Sequence, residues 1–407
     1  MIFYCNGKDQ ATEASDLSIT IENSSPFPRQ DVIVTIDAAR LSRLAEDDQL
    51  DEKAFTVPYQ FNDTDQDGQP DELLLLLDLK ANEKKELSLN DLISDQESVE
   101  YPKRTQAEIS HKINGEWKER EYLGGEFVNV QQLKVPAEHT DHSWFIRYEG
   151  PGWESDLVGY RFYLDWRNAT DIFGKKTTDM VLQDVGQDGF DSYHEPADWG
   201  MDILKVGSSL GLGSIAMWVD DKAERVAETD SLESLILANG DIQSTVRTYY
   251  HGWNVNDQKI QLVSDLSINA GSRLTHHQIT VDENIPNLCT GIVKLENSEV
   301  ITDAQKGVSG WGYLATYGQQ SLAEDKLGMV VFFKNSDLIE VTEDEFSHVV
   351  VLKPKHKQLD YYFAAAWEQE PGGITSREAF TDYLDKTQEQ LNQTVSVSLP
   401  AETGSQQ

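Results

Sequence analysis

The densest concentration of reactive side chains lies between Tyr148 and Gly213. If the run from Gly159 to Asn168 is extended, Arg161, Tyr163, Asp165 and Arg167 share one face, and Tyr160, Phe162, Leu164 and Trp166 share the other. The second set belongs to a core. The first reads either as an Arg–Asp ladder that stabilises a sheet or as a surface for a carboxylate, which a guanidinium fork grips through two parallel hydrogen bonds. The segments Asp184 to Glu195 and Asp198 to Gly207 hold too much Gly, Trp, Tyr, His and Asp for a plain strand. They predict a long functional loop carrying Tyr193, His194, Trp199 and Lys205. Tryptophans beside carboxylates and histidine suit a sugar, whose C–H face needs an aromatic platform and whose hydroxyls need polar partners. Trp153 is of this kind, and so is the cluster Arg247, Tyr249, Tyr250, His251 and Trp253. His276 and His277 lie inside a strand, so their rings point to opposite faces and only one can serve a given site; His277 is assigned to it.

A different chemistry is written at Asn62 to Glu72. Asp63, Asp65 and Asp67 alternate, Gly68 allows a tight turn, and Asp71 and Glu72 follow. Oxygen ligands at that spacing suit a hard cation such as Ca²⁺ in a structural role, although the glutamate of a full EF-hand is missing because residue 74 is leucine. An acidic hairpin turn without metal is the plainer reading. The sequence holds no Walker loop, Rossmann glycine fingerprint, CxxC pair or Gly-x-Ser-x-Gly elbow, so no organic cofactor is expected.

The chain has 407 residues, with 34 Lys and Arg against 71 Asp and Glu, a net charge of −37. That balance excludes nucleic acid, whose phosphates need cationic neutralisation, and disfavours anionic membranes. Any cationic pocket for an acidic ligand has to be built locally. The two cysteines, Cys5 and Cys289, form no disulfide framework. No apolar run is long enough to span a membrane. The start, Met1 to Gly7, resembles the remnant of a lipoprotein signal with Cys5 as the lipidated residue, apart from the bulky Tyr4 before it.

The elements that must position these groups are strands. Alternation marks Leu17–Ile21, Val32–Ile36, Arg161–Asp165, Ser244–Tyr250, Gln261–Ile268, Arg273–Val281 and others, and Leu73–Leu79 is a near-continuous leucine run. Helical periodicity is confined to Ala38–Ala45 and to Ser376–Asn392, where Ser376 is placed to cap. Many strands with almost no crossover helices predict a mostly-β fold, a large antiparallel β-sandwich of the galactose-mutarotase-like supersandwich kind. Residues 1–16 read as a flexible tail, 17–395 as one large unit, and 396–407 as a second tail. Within the unit, 17–100 holds the N-terminal strands and the calcium-type loop, and 140–395 the catalytic sandwich.

The stretches Trp153 to Asp156, Gly159 to Asp165, Asp171 to Lys175, Asp191 to His194 and Asp198 to Gly207 resemble the bacterial family called domain of unknown function 4861. Members sit among polysaccharide-degradation genes, and one group resembles an oligosaccharide dehydratase of ulvan breakdown. The resemblance implies elimination of water from the non-reducing-end uronic acid of an acidic oligosaccharide, leaving a 4,5-unsaturated uronate, in a periplasmic or secreted protein. Such chemistry needs a group that neutralises the carboxylate, a base for the C5 proton and an acid for the O4 oxygen. His194 is assigned as base, because imidazole titrates near neutrality. Tyr193 or Tyr250 is the acid, and Arg161, Arg167 or Lys205 holds the carboxylate. Trp153, Tyr163, Trp199, His251, Trp253 and His277 are the remaining expected substrate contacts. A polysaccharide lyase using the same groups on an internal bond, a glycoside hydrolase, and a non-catalytic carbohydrate-binding protein are the rival readings.

Overall fold

In the computed structural model, residues 17–96, 98–189 and 192–401 are described, so Cys5 lies outside them. The alternating segments pair into antiparallel sheets, and the fold is the mostly-β sandwich expected. The largest sheet has nine strands, in spatial order Ser298–Asp303, Trp311–Gln319, Lys326–Lys334, Gln358–Trp367, Leu274–Val281, Gln258–Asn269, Gln243–Val255, Ser231–Asn239 and Gln132–Lys134. Its inner face packs on a six-stranded sheet (Gly200–Asp202, Thr170–Lys175, Val158–Phe162, Gly152–Ser155, Thr105–Lys118, Glu121–Val130) and on a five-stranded one that includes Ala216–Val219 and Leu288–Val293. One apolar cluster joins all three, with Trp153 and Tyr160 from the six-stranded sheet, Met217 and Ile292 from the five-stranded, and Leu266, Ile279 and Phe363 from the nine-stranded.

The N-terminal part forms two three-stranded sheets. Glu72–Leu79 lies at the centre of one, between Arg29–Asp37 and Tyr59–Asn62. Its leucines are buried on both sides, which is why the run does not alternate. Leu73, Leu75 and Leu77 enter the N-terminal core, while Leu74 and Leu76 meet Ile242 and Ala270 of the large sheet's edge region. The helix Ala38–Ala45 forms as read, its first turn capped by Asp37 Oδ1, which accepts from the Arg40 amide at 2.7 Å. The helix Arg377–Asn392 is likewise capped by Ser376 and lays Phe380 and Leu384 on the outer face of the nine-stranded sheet. No described helix is long and apolar enough to cross a membrane.

Three expectations are corrected. Ser396–Ser398, assigned to a tail, is a strand paired with Ser18–Asn23, because Val395, Val397 and Leu399 alternate into the N-terminal core. The strand expected over Arg161–Asp165 runs instead from Val158 to Phe162. The chain then turns at Asp165–Asn168, closed by the Asn168 amide on Asp165 O, and Trp166 is left 46% exposed rather than in the core.

Candidate active site

Three adjacent strands of the six-stranded sheet build the centre of the site. Val158–Phe162 supplies Arg161, Thr170–Lys175 places Asp171 directly opposite it, and Gly200–Asp202 brings in Asp202. The Arg161 guanidinium is 2% exposed. It donates to Asp171 (3.2 and 2.8 Å), Asp202 (2.5 Å), Tyr163 Oη (3.0 Å) and Tyr193 Oη (2.7 Å). Tyr163 in turn donates to Asp171. Burial and then the neighbouring Asp202 push the Asp171 carboxyl up, and Arg161 opposes the rise. Arg161 is therefore held on all three nitrogens by its own protein, with Glu149 a further 3.8 Å away, and acts as a buried brace rather than an open fork for a ligand.

Arg167 repeats the pattern one turn on. Its guanidinium pairs with Asp165, Glu149 (2.7 Å) and Asp141 (3.0 Å) and lies 3.9 Å over the Tyr163 ring. Burial alone would raise the Glu149 carboxyl, but the charges of Arg161 and Arg167 outweigh it and hold Glu149 down at about 2. The backbone here is strained, with left-handed φ at His142 (57°), Trp144 (62°), Tyr148 (38°), Glu149 (70°) and Asn168 (43°). Such conformations cost free energy in non-glycine residues and persist only where the surroundings fix them.

The long loop adds Tyr193 and His194 to the site. Gly189, at φ 125°, passes so near Trp144 that an added Cβ would sit 2.6 Å from the ring. Ser192–His194 is a single 3₁₀ turn, so Tyr193 and His194 do not diverge as they would on a strand. Their ring centroids are 4.7 Å apart. Tyr193 is buried against Phe173, and burial, opposed by Arg161, pushes its hydroxyl up, so it stays protonated at neutral pH. His194 is at the surface with Nε2 3.3 Å from Asp202 Oδ2, a carboxylate that orients the imidazole. A cavity of about 250 Å³ is lined by Arg161, Tyr163, Arg167, Tyr193, His194 and Lys205, together with His142, Glu149, Asp171 and Asp202. Lys205 is exposed at its rim and makes no ion pair among the described residues.

Six of the expected residues thus converge, and others do not. Trp153 is 0% exposed and donates to Thr275 Oγ1 in the core. Tyr250 and Trp253 are both buried because a bulge with Gly252 at φ 66° resets the alternation between them. Tyr250 bonds Asn168, and Trp253 donates to Arg225 O. His277 is buried between Ser264 Oγ and Gly213 O, and burial pushes it down to about 3. These four lie in the interior and do not line the cavity. His251 is exposed beside Tyr249 and outside the cavity, and Trp199 packs edge-on against Phe173.

Glu149, Asp171, Asp202 and His142 were not singled out by sequence, because carboxylates are everywhere in this chain. The one usable signal was their position within two residues of the aromatic and glycine motifs. A second layer of buried pairs supports them. Arg147 and Tyr148 both meet Glu108, and Lys175 meets Glu154 at 2.6 Å.

In the acidic turn, Asp63, Asp65 and Asp71 bring carboxylate oxygens within 4.8 Å of one another. All three also accept backbone amides of the turn, Asp63 from Gln66 and Gly68, Asp65 from Asp67 and Asp71 from Thr64. Asp67 accepts from the Gln69 amide but stands outside this cluster, and Glu72 faces a neighbouring groove. Asp141, His142 and Glu149 are similarly close, but Arg167 already meets the charge of both carboxylates, which disfavours a cation there.

The family described as "Domain of unknown function (DUF4861)" matches residues 21–397, and the chain belongs to it. A relative from Formosa agariphila, called uncharacterized protein P7, is 22% identical over 412 residues, covering 94% of this chain and 93% of its own. Two solved structures from Enterococcus faecalis are similar at 10% identity: a glycosyl hydrolase family 38 protein (TM-score 0.44; 98% of this chain, 49% of that one) and an α-mannosidase (TM-score 0.46; 96% and 46%). The chain spans about half the length of these two.

Proposed function

We propose that this protein is a carbohydrate-processing enzyme that eliminates water from the terminal uronic acid of an acidic oligosaccharide. The observation that carries the reading is the convergence of Tyr193, His194 and Lys205 on one small cavity braced by Arg161. Lys205 would meet the substrate carboxylate and make the C5 proton more acidic. His194 would take that proton, with Asp202 stabilising the imidazolium that results. Tyr193 would give its proton to the departing O4 hydroxyl, which leaves as water, and the C4–C5 double bond forms from the electrons of the broken C5–H bond. The phenolate so formed lies on the Arg161 guanidinium, which stabilises it until a proton returns.

The cavity, about 250 Å³, is below the usual range of about 300–1,000 Å³ for ligand pockets. That size suits one terminal sugar, as a dehydratase or an end-acting lyase requires, better than the interior of a polymer. The acidic turn would hold a structural Ca²⁺ through Asp63, Asp65 and Asp71, and the location would be periplasmic or secreted. Incubation with saturated uronate oligosaccharides from ulvan and alginate, followed by mass spectrometry, tests the reaction. The expected product keeps its chain length, loses one water and absorbs in the ultraviolet. Shorter products would indicate a lyase or hydrolase, and tight binding without product a carbohydrate-binding protein.

A further inference from the structure

The outer face of the nine-stranded sheet is covered at two places only partly adjoining each other. The helix Arg377–Asn392 covers Tyr317, Val330, Phe332 and Ala366, and the N-terminal strands cover Ile242 and Ala270. Between these covers lies a groove of about 500 Å³, twice the volume of the active-site cavity. It shares no lining residue with that cavity. The sheet itself separates the two. His276 and Tyr362 are register partners facing the groove, while their chain neighbours His277 and Tyr361, also partners, are buried on the inner side.

The lining combines a flat aromatic surface with neutral hydrogen-bonding groups. His276 and Tyr362 line the groove and stack on each other at 4.2 Å and 11°, each covering one face of the other, and Trp311, outside the lining, supports Tyr362 edge-on at 5.2 Å. Gln278 is exposed on the same strand as His276, and the far wall is formed by Asn62 and Gln243, whose amides bond each other at 2.9 Å and also meet Gln60 and Asn269. Arg247 is held by Asp265 through two bonds of 2.7 and 2.8 Å and by Thr64 O at 3.2 Å, so its charge is spent within the protein. Of the remaining charges of the lining, Glu72 is acidic, and Asp63 belongs to the acidic turn with Asp65 and Asp71. Among the described residues no unpaired cation lines the groove to meet an anion, and a hydrophobic ligand would leave the exposed Gln278 amide without a partner. The chemistry that fits is a neutral polyol with apolar ring faces.

We infer that this groove is a second saccharide site, remote from the active site, that takes uncharged sugar units. It stands on the groove's own chemistry and not on the dehydration reading. Arrayed oligosaccharides test it, with cello-, xylo-, manno- and galacto-oligomers as neutral probes and oligogalacturonates as charged ones. Labelled protein should be retained on at least one neutral series. Tyr362→Ala should weaken retention about tenfold, the scale of one aromatic contact. Gln278→Ala, at an exposed position that leaves the fold intact, should weaken it about fivefold, the scale of one hydrogen bond. Retention by no neutral series, retention on uronates alone, or equal retention by the Gln278→Ala protein would overturn the inference. Because the readout is binding, its failure leaves the product analysis untouched, and failure of the product analysis leaves the groove untouched.

Discussion

Arg161 and Tyr193, 32 positions apart in the chain, meet in a 2.7 Å hydrogen bond in which the guanidinium donates and the phenolic oxygen accepts. The phenol's own hydrogen is thereby left to donate into the cavity. Tyr193→Phe should lower kcat by roughly 10²–10⁴, the usual contribution of a positioned acid. The ring keeps its packing against Phe173, so thermal unfolding should shift little. Retained kcat would sink the assignment.

His194→Ala should abolish turnover while leaving stability within about 0.5 kcal/mol, as for most exposed positions. The side chain is 41% exposed and touches Asp202 from the solvent side. Wild-type turnover with unchanged substrate affinity would exclude His194 as the base.

Arg161→Met removes a charge but little volume. It strands Asp171 and Asp202, both 1% exposed, without their cation. Breaking a buried pair from one side typically costs about 3–5 kcal/mol. A denaturant titration should show a loss of that size, and a loss near zero would mean that the brace is not structural.

The residue types of this site were legible beforehand, and their arrangement was not. The residue types and the two segments that carry them could be read from Tyr148 to Lys205, because glycine, tryptophan and histidine stand out against strand alternation. The cap at Ser376 and the helix behind it were equally plain. Which residues face the cavity was not readable, since that depends on where a strand stops. The chain leaves the sheet at Phe162, so Trp166 turns outward, and a bulge at Gly252 buries Trp253. That Arg161 pairs with carboxylates of its own protein was one of the two readings, but its partners Asp171 and Asp202 could not be named, because they are its neighbours only through strand pairing.

Stability should decline once the pH falls below about 6.5, the ordinary histidine value. Burial holds His277 at about 3 and His139 at about 4, so the unfolded chain takes up protons that the folded one refuses. Their stabilisation is complete above 6.5 and drains away as the pH falls towards those values. Glu149, held at about 2, adds its loss only below the ordinary carboxylate range. Asp171, which burial raises to about 6, works in the opposite sense and offsets part of this loss. Melting temperatures should therefore fall from pH 8 to 4 less steeply than the histidines alone would give, and His277→Gln should flatten the slope.

Calcium should raise the melting temperature of the intact protein and EDTA should reverse the effect. Asp63→Asn, which weakens the cluster formed with Asp65 and Asp71, should abolish the response. An identical response in that variant would place any bound calcium elsewhere.

The pairing of Ser18–Asn23 with Ser396–Ser398 bears on how the molecule is assembled during synthesis. The first strand of the described chain lacks one neighbour until residue 398 has left the ribosome, although its other partner, Glu83–Ser88, emerges early. Until then Ile19 and Ile21 sit in a layer with an open edge. The N-terminal layer is thus started first and finished last, and a nascent chain halted before residue 396 should be the species most prone to bind chaperones or to aggregate.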